Sequence, residues 1–342
     1  MTKRNSHIFF VSLLIASCFA TQFCFAQDPN FSQFTASPLS ISPALTGNGE
    51  SSWRAMSNIR NQWIGIGSTY RTKSLSIDGK LLNNDFDDYL GVGGMLMLDD
   101  AMDGIYKSTY FSLNAAYHLT LDDKGNGIAA GIGWIYNSTM IDFSQLSFSQ
   151  QLSSAGFNRA LPTGEQSLSS VPNFSSFCAG IMYTYSMDNT FANFGIAGYR
   201  FMKSKRSVLD DASQYDDPRY DIHADFGTDL NNSINLSVSG LCSVQNGKLT
   251  STIGANIGFL PAEETENSPL RIFNAGLFYR AGDAIIPTVG YIYNGFQIGL
   301  SYDVYISNIK SASVDPKTIE LSLIFRKYNS NNIKKGRYHS PI

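Results

Sequence analysis

The stretch Arg219-Tyr220-Asp221-Ile222-His223-Ala224-Asp225-Phe226-Gly227-Thr228-Asp229-Leu230 decides the fold. Its odd positions carry Arg219, Asp221, His223, Asp225, Gly227 and Asp229; its even positions carry Tyr220, Ile222, Ala224, Phe226, Thr228 and Leu230. A β-strand points successive side chains to opposite faces, so this segment has one ionic wall and one apolar wall. A slip of one residue would turn Asp221, His223 and Asp225 onto the apolar side, so the register is strongly specified. Three further segments repeat the pattern. Between Lys107 and Leu121, Thr109, Phe111, Leu113, Ala115, Tyr117 and Leu119 alternate with Ser108, Tyr110, Ser112, Asn114, Ala116, His118 and Thr120. Phe296, Ile298, Leu300, Tyr302 and Val304 alternate with Gln297, Gly299, Ser301, Asp303 and Tyr305, and Ile319, Leu321, Leu323 and Phe325 with Thr318, Glu320, Ser322, Ile324 and Arg326.

Composition says what the apolar wall touches. Charged residues make up 15% of the 342 residues, against about 25% in an average soluble protein. Aromatics reach 13%, with 23 Phe and 18 Tyr, and there are 29 Gly. Mean hydropathy is −0.11, too polar for a bundle of membrane helices, and the pI of about 5.8 gives no basic footprint for nucleic acid. Beyond the leader no apolar run approaches the roughly 18 residues of a transmembrane helix. An aromatic-rich, charge-poor chain of alternating segments is the profile of an outer-membrane β-barrel, whose strands face lipid on one side and the lumen on the other. The expected fold is therefore all-β: a closed antiparallel transmembrane barrel whose lipid partner is the bilayer.

About fourteen such segments lie between residues 52 and 326. The alternation is most broken at 69–82, 190–203 and 284–293. Connections follow a parity. After even strands they are mostly short, as at Asp122-Asp123-Lys124-Gly125, Leu230-Asn231-Asn232 and Asn294-Gly295, the last a hairpin pair. After odd strands come the long ones, at about 139–174, 204–217 and 307–316. Outer-membrane barrels keep short turns in the periplasm and long loops outside, so an even strand count places both termini in the periplasm.

The first residues read as an address. Lys3 and Arg4 precede the apolar stretch Ile8 to Ala16, and small residues lead to a cleavage site between Ala26 and Gln27. The rival is a lipobox, Ile15-Ala16-Ser17-Cys18, which would leave apolar Phe19 to Phe25 on the mature chain. Cleavage at Ala26 takes the basic count from 25 to 23 against 28 acidic residues. It also removes Cys18 and Cys24. The remaining Cys178 and Cys242 fall on opposite strand faces and read as free thiols. Four regions follow: 1–26 signal peptide, 27–51 N-terminal segment, 52–326 barrel, and 327–342 basic tail. Pro29, Pro38 and Pro43 keep 27–51 from being a central strand. It reads as a plug in the barrel mouth, a docking arm or a disordered leader, and Phe31, Phe34, Leu39, Ile41 and Leu45 favour packing.

Several short stretches match a known family in order. They are Gln27-Asp28-Pro29-Asn30-Phe31-Ser32-Gln33-Phe34, Pro43-Ala44-Leu45-Thr46-Gly47, Asn58-Ile59-Arg60-Asn61-Gln62-Trp63 and Asp99-Asp100-Ala101-Met102-Asp103-Gly104. Ile141-Asp142-Phe143-Ser144-Gln145-Leu146-Ser147-Phe148, Pro172-Asn173-Phe174-Ser175 and Pro218-Arg219-Tyr220-Asp221-Ile222-His223-Ala224 continue the series. Each is weak alone; the ordered series over the mature chain resembles the PorP/SprF family of type IX secretion outer-membrane proteins of Bacteroidota. Two features depart from it: Ser42 stands where the family usually has Asn, and the tail from Lys327 to Ile342 runs past where many relatives stop. The resemblance implies a non-enzymatic role. The chain would support secretion or surface anchoring of a partner, through the C-terminal domain of an adhesin-like cargo sometimes used in gliding. Periplasmic and outer-membrane secretion components would act beside it.

Residue chemistry offers less. Asp210, Asp211, Asp216 and Asp217 form an acidic loop that could steer a basic partner or simply be solvated. Lys334, Lys335 and Arg337 read as a solvated basic tail. His118 and His223 face the lumen, but no Gly-x-Ser-x-Gly motif accompanies them, so no catalytic residue is assigned. Asp99, Asp100 and Asp103 before Gly104 lack the EF-hand spacing and read as a turn with exposed carboxylates. Asp221, His223 and Asp225 beside Arg219 read as an internal salt-bridged wall rather than a metal site. No cofactor is expected. A passive porin or small-solute channel is the alternative function, because a polar lumen fits both an open and a filled barrel.

Overall fold

The computed structural model describes residues 30–328, apart from 66, 68, 84–87, 155, 165–170, 188, 203–216, 262–269 and 308–315. Its strands are β1 (Trp53–Ile64), β2 (Tyr70–Asn83), β3 (Tyr89–Ala101), β4 (Tyr106–Thr120), β5 (Gly127–Ile141), β6 (Leu152–Ser153), β7 (Gly156–Phe157) and β8 (Phe174–Met187). The series continues with β9 (Thr190–Tyr199), β10 (Arg219–Asn231), β11 (Ile234–Gln245), β12 (Lys248–Phe259), β13 (Arg271–Arg280), β14 (Ala284–Tyr293), β15 (Phe296–Tyr305) and β16 (Lys317–Lys327). β6 and β7 form a two-stranded hairpin inside the long connection after β5. The other fourteen strands close into one antiparallel barrel, in which each pairs with its chain neighbour and β1 pairs with β16. Closure leaves no unpaired sheet edge, which a hydrocarbon environment requires.

The expected registers are the observed ones. On β10, Arg219, Asp221, His223, Asp225 and Gly227 are buried, while Tyr220, Ile222, Ala224 and Phe226 are exposed. β4, β15 and β16 repeat the alternation. The exposed wall is apolar around the whole cylinder: Ile132, Ile181, Phe194, Leu277, Val289 and Leu300 all lie on it. Aromatic side chains gather near the strand ends, with Trp53, Tyr117, Tyr183, Tyr293 and Phe325 at one end and Tyr220, Tyr279 and Tyr302 at the other. Such girdles mark the two membrane interfaces of an outer-membrane barrel. Cys178 is buried on the lumen side and Cys242 is exposed on the outer wall; both are free.

Odd-numbered barrel strands finish at the end that carries the connections 142–173, 200–218 and 306–316, the long-loop end. Even-numbered ones finish at the short-turn end, where 260–270 is the single long exception. Asn294-Gly295 is a two-residue turn with φ of 47° and 87°, and Asn246-Gly247 repeats it at the long-loop end with 52° and 70°. Both positions need the left-handed region, which Asn and Gly tolerate. Several boundaries differ from expectation, two of them with a clear physical reason. β9 ends at Tyr199 rather than 203, because Arg200 takes φ of 64° and turns the chain out of the sheet. β5 runs on to Ile141 rather than stopping at 138, extending its pairing with β4 as far as Tyr106.

Candidate functional site: the lumen and the segment that fills it

Residues 30–52 lie inside the barrel. Three single turns of 3-10 helix order them: Phe34–Ala36, Pro38–Ser40 and Pro43–Leu45. Pro38 and Pro43 open the second and third turns, where proline's fixed φ is pre-organised and its missing N–H is not needed. The Ser42 hydroxyl accepts the Ala44 N–H and caps the third. Phe34, Leu39, Ile41, Ala44 and Leu45 are each no more than 2% exposed. Phe34, Ile41, Ala44 and Leu45 pack with Ala129 of β5, Met182 of β8, Phe278 of β13, Ile286 of β14 and Tyr305 of β15. Phe34 meets Phe278 edge to face at 5.9 Å. The segment therefore touches inner walls on opposite sides of the cylinder at once. At Gly131 of β5 it lies so close that a Cβ would collide with the Pro43–Ala44 backbone.

An ionic lock holds the head of this segment. Glu320 accepts the Ser32 N–H at 2.7 Å and the Gln33 N–H at 3.0 Å. The Ser32 hydroxyl donates to Asp303 at 2.6 Å and accepts from Arg60 at 2.6 Å and Arg280 at 2.8 Å. Both guanidiniums also contact Asp303, at 3.1 and 3.0 Å. Arg60 lies 3.5 Å from Glu320 and donates to the Asn30 carbonyl at 2.9 Å. The side chains of Asp303 and Glu320 are 1% and 0% exposed. Charges this dry persist only with partners on each free lone pair and proton, and the two arginines supply them from β1 and β13.

The other end is tied more loosely. Gly47 N–H donates to Asp78 at 2.5 Å, and Arg54 bridges Asp78 at 2.9 Å and the Leu45 carbonyl at 2.8 Å. His118 Nε2 lies 2.9 Å from the Thr46 carbonyl, its ring stacked on Tyr89 at 4.3 Å. Between the ends, Arg219 donates to the Ser40 carbonyl at 2.6 Å and Asn58 to the Ala36 carbonyl at 3.0 Å. Asn30 thus sits beside Arg60, toward the long-loop end, whereas Gly47 and the start of β1 lie toward the short-turn end. Lys327 opposes Trp53 at that same short-turn end. The outermost described residues therefore lie toward opposite ends of the barrel, and the two termini themselves lie outside the described residues.

The other singled-out residues fall as follows. Asp221 pairs with Arg219 at 3.0 Å, and His223 Nδ1 lies 4.0 Å from Asp225, all on the inner wall. His118 serves the Thr46 carbonyl, and no arrangement of a nucleophile with a base forms around it or His223 in the contacts described. Asp99 and Asp100 belong to β3, Asp99 accepting from Thr72 at 2.6 Å, so only Asp103 occupies the turn; the three-carboxylate turn is corrected to one. Among the described residues no group of three His, Cys, Asp or Glu is placed to hold a metal. Asp217 is exposed just before β10, while Asp210, Asp211 and Asp216 lie outside the described residues. So do Ala26, Gln27, Lys334, Lys335 and Arg337. The lock of Arg60, Arg280, Asp303 and Glu320 was not singled out from sequence. Its only signal was inward charge, one arginine on β1, one on β13 and two acids on β15 and β16, with Arg60 and Glu320 legible as a pair once β1 closes on β16.

Among solved structures the chain is similar to the toluene transporter TodX of Pseudomonas putida, at 9% identity and a TM-score of 0.48, covering 87% of this chain and 93% of that one. The Ralstonia pickettii toluene transporter TbuX gives 11% and 0.47, over 84% and 92%. The Acinetobacter baumannii outer membrane protein Omp33 gives 8% and 0.41, over 81% and 98%. No curated protein matches. The family described as type IX secretion system membrane protein PorP/SprF matches residues 23–325, nearly the whole barrel and its inner segment. The chain belongs to the PorP/SprF family of type IX secretion system membrane proteins.

Proposed function

We propose that this barrel is a non-enzymatic anchor of the type IX secretion system, which holds a secreted partner at the cell surface through that partner's C-terminal domain. An adhesin-like cargo, of the kind used in gliding, is the partner class that fits. The observation that carries the reading over a passive channel is the filled lumen: residues 30–47 cross it and are locked to walls on several sides. A barrel buried in lipid is a mechanical fixture, because extraction would expose its apolar belt to water. In this reading the signal peptide is cut between Ala26 and Gln27, the short-turn end faces the periplasm and its machine components, and the long loops face outward. Asp217, with Asp210, Asp211 and Asp216, supplies an acidic contact for a basic partner surface. Deleting the gene is expected to release or retain one class of surface protein. Finding every surface protein still secreted and anchored would overturn the proposal, and steady large conductance of the purified barrel in planar bilayers would favour the channel instead.

A further inference from the structure

Where the inner segment leaves the bore at the short-turn end, Asn48, Gly49 and Glu50 form one side of a chamber. The wall from β3 to β9 forms the other side, with Tyr89, His118, Ala129, Ser186, Phe191 and Asn193. Its volume is about 220 Å³, below the roughly 300–1,000 Å³ of pockets that take drug-sized ligands. At about 30 Å³ per water it has room for about seven waters, or for one molecule the size of a sugar ring. A stretch of polypeptide does not fit. No Lys or Arg lines the chamber, and Glu50 stands exposed at its rim. An anion would therefore meet a carboxylate and no counter-charge.

Neighbouring bonds fix what the wall offers. His118 Nε2 donates to the Thr46 carbonyl at 2.9 Å, which leaves Nδ1 of the neutral ring as an acceptor. Asn193 Oδ1 accepts from the Thr184 hydroxyl at 2.9 Å, which leaves its Nδ2 as a donor. Among the described residues no hydrogen bond engages that Nδ2, His118 Nδ1, the Asn48 amide, or the hydroxyls of Tyr89 and Ser186. None of these five groups is sealed from open space either. Apolar contact comes from Ala129 and Phe191, both buried. Tyr89 presents its edge, because one face stacks on His118 at 4.3 Å and Lys80 Nζ lies 4.1 Å over the ring.

We infer that this chamber binds one uncharged sugar ring through its hydroxyls. A hydroxyl both donates and accepts. A ring with hydroxyls around its edge therefore answers the acceptor at His118, the donor at Asn193 and the two-way groups of Asn48, Tyr89 and Ser186 together. The ring is rigid, so ordering it costs less than ordering an open-chain polyol with the same hydroxyls. Its C–H face has Ala129 and Phe191 to rest on. A phosphate or carboxylate ligand lacks the donors that His118 calls for and is repelled by Glu50. A free monosaccharide and the end unit of a glycan chain carry this same chemistry. The inference concerns the end of the barrel opposite the long loops and stands apart from the anchoring reading.

The test is saturation-transfer NMR on the full-length barrel in phosphatidylcholine nanodiscs, with glucose and, separately, maltotriose as probes. Saturable transfer to sugar protons is expected. Asn48→Ala is expected to weaken binding roughly tenfold, as loss of one or two hydrogen bonds implies. Ser186→Phe, which fills the chamber from the wall, is expected to abolish it. Far-UV circular dichroism and heat-dependent gel mobility check that each variant is folded; should Ser186→Phe misfold, Asn48→Ala carries the test. Binding of glucose alone supports the inference with a free sugar as ligand, and transfer to the terminal ring of maltotriose supports it with a chain end. No saturable transfer to either probe, equal binding in Asn48→Ala, or displacement of glucose by sodium phosphate would each overturn it.

Discussion

Replacing Glu320 by Ala removes the acceptor of two main-chain N–H groups, those of Ser32 and Gln33, and one charge beside Arg60. A hydrogen bond to a charged group is worth about 1.5–3 kcal/mol, so the two together lose about 3–6 kcal/mol of attachment. Arg60 keeps Asp303 at 3.1 Å, so no lone buried cation remains to destabilise the barrel itself. Against this loss stand Phe34, Leu39, Ile41 and Leu45, each contributing about 1.5–3 kcal/mol by burial, or about 6–12 kcal/mol in all. The head of the segment should therefore release more often while its body stays seated. At a factor of ten per 1.4 kcal/mol, the open fraction should rise by about two to four powers of ten. Single-channel recording in planar bilayers reads this directly: brief openings in Glu320→Ala, near silence in the parent, and an intermediate trace in Glu320→Gln, which keeps one acceptor oxygen. Identical traces accompanied by a lower melting temperature would show that the ionic cluster braces the wall and does not hold the segment. Large steady openings in the parent would refute the filled lumen.

Other perturbations test separate links. Gly131→Leu should expel the Pro43–Ala44 turn while the barrel still forms, seen as new protease cleavage between Asn30 and Gly47 in a protein that keeps its heat-dependent gel mobility. Phe226→Arg places a cation on the lipid wall mid-strand; the expected cost is about 2–4 kcal/mol in urea-dependent refolding into vesicles. An unchanged midpoint would mean that this wall does not face hydrocarbon. In the 121–126 turn, a side-chain hydrogen bond from Asn126 holds the Asp122 carboxyl below its ordinary value, helped by the Asn126 and Lys124 main-chain N–H groups. A depressed folded value means that the turn's contribution is present above the ordinary carboxylate range and lost as pH falls through the folded value. NMR titration of the Asp122 carboxyl should show that lowered midpoint, and Asn126→Ala should move it upward.

The barrel was legible because each strand residue meets one of two environments, and the sequence must alternate accordingly. Asp221, His223 and Asp225 fix one register; Ile222 and Phe226 confirm it from the other side. Length was harder to read. Phe201 and Met202 are apolar and extend the pattern of β9 on paper, yet the left-handed Arg200 ends it at Tyr199. The inner segment has no period, because three short proline-led turns repeat nothing, so only its apolar residues hinted at burial. The ionic lock was harder still. Ser32 and Asp303 are separated by 271 positions, and nothing local in either sequence context names the other.

The seam between β1 and β16 has a consequence for biogenesis. It runs from Trp53 opposite Lys327 to Ile64 opposite Lys317, joining the earliest-made wall to the last. The segment that precedes β1 is already in place across the interior, with its leading residue nearer the far rim. Had the cylinder sealed first, that leading residue would have to be drawn through the bore lengthwise. Leaving the β1–β16 seam to close last would let the early residues settle sideways into the interior instead.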